Sequence, residues 1–391
     1  MNTSPDPTAV TDETTRTAAV AGASNRLALE LDRQWAGGEG GNRFFSPVSI
    51  ATALGIAYAG AGGETAREMA AVLHFDVLPP SEFPLALGSL AKQLMERPGV
   101  SLQIANRLWG QQGYDFRPEF LAQTDRAHGG ALETIDFEQP DSARQTINAW
   151  VADRTSGKVA ALIPPGVLDR ATRLVLTNAI VFKANWLTPF RIEATRPEPF
   201  HPESAAPVEV PMMHQTTRLS HGEAEGVRIV ELGYVGRSMS LVVLLPAEGS
   251  SLGELESRLT GDRLISWLDG LVPRRVDLSL PRFRSRSAVR LDPSLRELGL
   301  TRPFNPAQAD FSGLTTRERL FLSAIVHEAV VDVDEQGTEA AAATGMAVAA
   351  TMAGRPETPV VFRADRPFVY LIRDQATGAI LFLGRLSDPR G

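Results

Sequence analysis

A chain of 391 residues that is 43% hydrophobic and 22% charged, with 33 Gly and 27 Pro, has the composition of a folded globular protein, which excludes collagen-like and wholly disordered classes. The absence of Cys excludes disulfides, Cys-ligated zinc, iron–sulfur clusters, a thiol nucleophile and a lipidated Cys. The 39 basic residues against 46 acidic ones leave a net charge of −7, which argues against nucleic acid and anionic membrane as partners.

The first 20 residues hold few large apolar side chains and read as a disordered tail. Met1 to Thr17 lacks the apolar stretch of a signal peptide, so the sequence by itself points to the cytoplasm. From residue 21 to 391 there is no linker, repeat or charge block, and one domain is expected. Leu27, Leu31 and Trp35 recur at helical spacing and predict an amphipathic helix ending at Gly37-Gly38. Ser46-Pro47 opens a second helix, with Ser as N-cap and Pro at the first helical position. That helix carries no charge between Ser46 and Gly63, which predicts burial on most sides. Further helices are expected at 64–73, 81–96, 117–128 and 142–155, the last capped by Asp141.

Strand patterns dominate the remainder, at 100–109, 172–185, 207–217, 226–234, 238–245, 274–288, 319–334, 360–373 and 379–386. Leu174 to Phe182 is nearly continuous in apolar residues, as in a strand covered on both faces. Helices lead and strands follow without a βαβ rhythm, so the class is α+β.

Positive signs of catalysis are lacking. Gly60-Ala61-Gly62-Gly63 has no strand before it and no Gly-Lys-Ser/Thr after it, and reads as a helix-terminating turn. Gly236 to Ser240 approaches a nucleophile elbow but fails at the final Gly. Six His are scattered, with His214 and His221 in a loop-like region. His327, inside an apolar strand, reads as a hydrogen-bonded core residue. Neither a metal nor a cofactor is expected.

The segment Glu335 to Gly354 is unusual. As a helix it has no apolar stripe and is interrupted by Thr344, Gly345 and Val348. Read with period 2, Thr338, Ala340, Ala342, Thr344, Met346 and Val348 share one uncharged face. Glu339, Ala341, Ala343, Gly345, Ala347 and Ala349 share the other. No Pro occurs between Gln336 and Arg355, so every amide can enter a ladder. The segment reads as a mobile loop able to become a strand, with Gly337 as its hinge.

At this point the chain resembles a serpin. Asp334 to Thr344 is similar to that family's hinge, and Phe44 to Ile50, Leu176 to Trp186, Leu280 to Phe283, Ala309 to Gly313, Ala364 to Phe368 and Gly378 to Arg385 match further motifs in order. The resemblance implies three β-sheets, eight or nine helices and an exposed reactive loop, here about 335–359. It implies suicide inhibition: a serine protease, in some members a cysteine protease, attacks the loop, forms a covalent acyl complex and is trapped as the cut loop inserts into the central sheet. It also implies a monomer and an extracellular setting.

By position, the hinge comprises Glu335, Gly337, Thr338, Glu339, Ala340, Ala341, Ala342 and Ala343. Ser46, Ser49, Asn178 and His327 match the family's shutter, with His327 bonded to Asn178. Trp186 and Arg282 match the breach, where an Arg282–Glu335 ion pair is expected. Counting from either end places the reactive bond at Thr351-Met352; the alternative before Pro356 is disfavoured because trypsin-like enzymes cleave poorly there. The small or neutral residues around Thr351 imply an elastase- or subtilisin-like target. Non-inhibitory members tend to carry bulky, charged or Pro-containing hinges, unlike the Ala340 to Ala343 run. Glu328 and Arg366 stand where the family often has Lys and His. No basic helix resembles a heparin site, so glycosaminoglycan is not an expected partner.

Overall fold

The uncharged stretch after Ser46 forms a helix, Pro47–Ala59, in which every residue from Pro47 to Tyr58 is buried. The Ser46 hydroxyl accepts from the Ser49 amide at 3.3 Å, and Pro47 occupies the first turn, where its missing N–H costs nothing. The helix contacts strands of two different sheets, which explains why it has no polar face. It ends at Gly60, and Gly62 begins the next helix, so the glycine cluster is a turn between helices.

This arrangement is seen in a computed structural model that describes residues 7–36, 41–128, 130, 132–203, 205–317, 319–338 and 357–390. The helices among them are α1 (Pro7–Ala36), α2 (Pro47–Ala59), α3 (Gly63–Val72), α4 (Phe83–Met95), α5 (Pro118–His128), α6 (Pro140–Arg154), α7 (Leu252–Arg258), α8 (Gly261–Asp269) and α9 (Leu291–Glu297). The strands are β1 (Arg43–Phe45), β2 (Val100–Gln111), β3 (Leu132–Ile135), β4 (Leu174–Asn185), β5 (Arg196–Phe200), β6 (Val208–Ala224), β7 (Val227–Gly233), β8 (Met239–Pro246), β9 (Val272–Pro281), β10 (Phe283–Arg290), β11 (Leu322–Val333), β12 (Gly337–Thr338), β13 (Val360–Arg363), β14 (Phe368–Asp374) and β15 (Ile380–Leu386).

Hydrogen bonding joins them into a six-stranded sheet, β10-β11-β12-β4-β2-β3, and a nine-stranded one. The larger runs β1-β15-β14-β8-β7-β6-β9-β13, with β5 also on β6. Three sheets were expected. Two of them are continuous here because β6 is long: residues 212–221 pair with β9 and residues 220–224 with β7. The six-stranded sheet is buried on both faces, as the apolar run of β4 predicts. One face meets the main core through Leu176, Ile180 and Phe182. The other, through Val175 and Ala179, meets a second core with Ile147 and Val151 of α6.

Several expectations are corrected. Residues 7–20 form the start of α1 rather than a disordered tail. Thr17, Val20 and Ala21 are buried, and the Thr17 hydroxyl donates to the Glu13 carbonyl at 3.1 Å, so packing outweighs the weak propensity of the Thr-rich stretch. Asp141 is not a cap; it lies in the first turn of α6, where its charge favours the helix dipole. The expected strand 274–288 is two strands that cross from one sheet to the other at Arg282, whose amide bonds to the Pro211 carbonyl at 2.8 Å. The expected strand 360–373 likewise divides before Phe368. His214 and His221 lie on β6, not in a loop.

Candidate functional site

The two middle strands of the six-stranded sheet pair with each other along only part of their length. β11 and β4 run parallel from Leu322 opposite Leu174, with a register shift before Ala324, to Val330 opposite Val181. Beyond that point a third strand lies between them: β12 pairs antiparallel with both, Thr338 opposite Val333 on one side and Ala184 on the other. The segment before the uncharged alternating stretch thus already sits between two strands of the sheet.

A tight turn delivers it there. The Asp334 carboxylate accepts from the Gln336 and Gly337 amides at 2.8 and 3.1 Å, and the Asp334 amide donates to the Gly337 carbonyl at 2.9 Å. A Cβ on Gly337 would stand 2.1 Å from the Ala184 carbonyl oxygen, so this close approach requires glycine. Thr338 is fully buried, and its hydroxyl bonds to Tyr234 Oη at 2.6 Å.

The chain before the turn is held from below and from the side. Trp186 donates its indole N–H to the Asp334 carbonyl at 2.8 Å and its amide to the Gln336 carbonyl at 2.9 Å. Its ring stacks on Tyr234 with centroids 4.7 Å apart. The Glu335 carboxylate accepts from Arg282 and from the Thr195 hydroxyl, both at 2.6 Å. Burial alone would raise this carboxyl; the Thr195 and Arg282 hydrogen bonds outweigh it and hold Glu335 below the usual carboxylate range. The crossover of the chain between sheets is what carries Arg282 to this point.

Lower in the sheet, His327 and Asn178 are register partners on β11 and β4. His327 Nε2 accepts from the Ser46 amide at 3.1 Å, so the neutral ring carries its proton on Nδ1 and donates to Asn178 Oδ1. The Asn178 amide donates to the Ser49 carbonyl at 2.9 Å, to the Ser49 hydroxyl at 2.6 Å and to Asn106 Oδ1. Burial, which disfavours the charged imidazolium, pushes His327 down to about 3. Both strands are therefore tied through side chains to the first turn of α2.

A family model described as "Serpin (serine protease inhibitor)" matches residues 22–389. The chain belongs to the serpin family. It is 41% identical over 359 residues to the leukocyte elastase inhibitor of Bos taurus, spanning 89% of this chain and 93% of that one. It is 39% identical over 379 residues to the Homo sapiens protein of the same name, spanning 94% and 98%. Among solved structures it is similar to Serpin48, a highly specific serpin of the insect Tenebrio molitor, at TM-score 0.84 and 31% identity, covering 94% and 98% of the two chains. The relatives are serine protease inhibitors, and this serpin is an inhibitor rather than an enzyme.

Of the residues singled out from the sequence of this serpin, Ser46, Ser49, Asn178 and His327 meet in one hydrogen-bonded cluster. Trp186, Arg282, Glu335, Gly337 and Thr338 meet in a second, where the Arg282–Glu335 ion pair is present. Glu339, Ala340, Ala341, Ala342, Ala343, Thr351 and Met352 lie outside the described residues. Sequence reasoning missed Asn106, Thr195 and Tyr234. Asn106 carried a faint signal, as a polar residue in an otherwise alternating strand; Thr195 and Tyr234 reach the site through tertiary packing alone. Glu328 is buried on β11 and paired with Arg286 at 2.7 Å, and Arg366 donates to the Pro246 carbonyl at 2.7 Å, so neither contacts the hinge. Among the described residues no group of His, Asp and Glu is placed to hold a metal ion.

Proposed function

We propose that this serpin is a suicide-substrate inhibitor of an elastase- or subtilisin-like serine protease. The protease cleaves Thr351-Met352 and forms an acyl ester, and the freed loop enters the six-stranded sheet between β11 and β4 before water releases the enzyme. The chain acts as a monomer, and cysteine proteases form a second class of target. The observation that carries this reading is the seating of Gly337–Thr338 between strands that are otherwise paired.

The register supports it. A strand continuing from Thr338 antiparallel to both neighbours would set Ala340 between Val331 and Phe182, Ala342 between Ala329 and Ile180, and Thr344 between His327 and Asn178. Ala340, Ala342 and Thr344 are small and uncharged, and they would face the main core. The charged Glu339 would face the other way, between half-buried Lys183 and half-buried Asp332. Thr344 offers a hydroxyl at the level where the core-facing side of these strands presents His327 and Asn178, so separating the two need not leave them unsatisfied. The relatives named leukocyte elastase inhibitor support a protease with a shallow apolar pocket.

Incubation with elastase and with subtilisin, followed by denaturing electrophoresis and mass spectrometry, tests the reading. An SDS-resistant adduct with cleavage at Thr351-Met352 is expected. Cleavage of the loop with no adduct would overturn it.

A further inference from the structure

α1 begins well before the residues that match the family, which start at residue 22. In that early part Asp12, Glu13, Arg16 and Thr17 share one face of the helix. The face is turned to α4. The Glu13 carboxylate accepts from the Ser89 hydroxyl and from the Gln93 amide, the latter at 3.3 Å. Arg16 reaches Glu82 at 3.3 Å while paired with Asp12 at 2.6 Å. Thr17 is 1% exposed. Glu82, Ser89 and Gln93 recur at one face, so the grip extends over most of the length of α4.

The other part of α1 is fixed to the body. Asn25 donates to the Gly378 carbonyl at 2.8 Å and accepts from the Ile380 amide at 2.9 Å, at the start of β15. α4 packs through Phe83, Leu87, Leu90 and Leu94 on the main core, and it leads within a few residues into β2, which pairs with β4 from Val100 to Gly110. For β4 to leave β11 by one strand spacing, about 4.8 Å, β2 must travel with it. α4 must then follow or strain the short connection.

We propose that residues 12–17 form a strap that holds α4 to the body and slows the parting of β4 from β11. The strap rests on the insertion reading given above. It makes residues 12–17 of α1 a governor of how readily the sheet opens, through side chains that precede the matched family region.

The test compares the full chain with a form lacking residues 1–16, and with Glu82→Arg and Arg16→Glu/Glu82→Arg in the full chain. The first readout is hydrogen exchange of the amides in 83–111, which does not involve the loop. The second is uptake of a synthetic peptide with the sequence of residues 338–351. Truncation should speed both by about fivefold, the rate equivalent of ~1 kcal/mol. Glu82→Arg should speed both in the same direction, and the charge-swapped pair should recover part of the difference. Unchanged exchange in 83–111 for the truncated form and for Glu82→Arg overturns the strap. Faster exchange without peptide uptake by any form upholds the grip on α4 and overturns the insertion reading instead. The two surface variants keep the test valid if the truncated form does not fold.

Discussion

His327 and Asn178 face each other across β11 and β4, and the hydrogen bond between them is a side-chain tie between two strands that pair in parallel for only part of their length. The geometry demands a neutral imidazole, because the ring nitrogen that faces the Ser46 amide must accept.

Stability should therefore depend on pH through His327. Its folded value of about 3 lies below the ordinary unfolded value near 6.5. The unfolded chain takes up the proton first, so stability is complete above pH ~6.5 and falls on acidification, by ~1.4 kcal/mol per pH unit for this group, until pH ~3. His128, lowered by burial to about 4, adds in the same direction. His327→Gln should be ~1–3 kcal/mol less stable at pH 7, having lost a buried partner. It should also lose less stability than the wild type between pH 7 and pH 5. Urea midpoints at the two pH values check this, and identical losses in both proteins would count against it.

Thr338→Arg should abolish trapping. Thr338 is fully buried between strands, where taking a guanidinium out of water is expensive. The variant should be cleaved by elastase without forming an adduct on a denaturing gel. An adduct as abundant as that of the wild type would show that this position need not be buried.

Arg282→Ala should loosen the base of the loop at modest cost. The Glu335 side chain is 5% exposed and would keep the bonds from Thr195 and from its own backbone amide, but Arg282 is 44% exposed and solvent already screens the pair. A loss of about 1 kcal/mol is expected. Because Glu335 is held below its usual range, its stabilising contribution is present above the unfolded pKa and lost as pH falls through the folded one. The variant should show less of this acid-dependent loss in urea titrations.

Arg97→Ala should cost more. Arg97 makes a bidentate pair with the fully buried Asp374 at 2.7 and 2.9 Å, and its removal strands a carboxylate in the core. Thr377 still donates to it through its amide and hydroxyl, which places the loss at about 3 kcal/mol. Thermal or urea unfolding measures it; a loss under 1 kcal/mol would mean that water reaches Asp374.

Much of the architecture was legible because strong local signals agree with the fold. Ser46-Pro47 starts α2 as its capping chemistry requires, and the apolar run of β4 is covered on both faces. The errors occurred where tertiary structure overrides local pattern. α1 begins early because Thr17 and Val20 find buried positions that no propensity announces. Arg282 interrupts an apparently continuous strand because the chain changes sheets there, and this crossover is also what brings it to Glu335. His327 was readable as a buried hydrogen-bonded residue, whereas Asn106, on a strand distant in sequence from both partners, showed only that it is polar among apolar neighbours and not whom it meets.

β12 is two residues long, yet both of its edges are engaged. Intercalating a strand resembles closing a zipper: the first paired residues lose the most freedom per bond gained, and later ones follow at lower entropic cost. Under the proposed function that first step precedes any encounter with a protease. The contest between trapping and hydrolysis then starts with the slider already on its track, and its outcome is decided by how fast the remaining teeth pass His327 and Asn178.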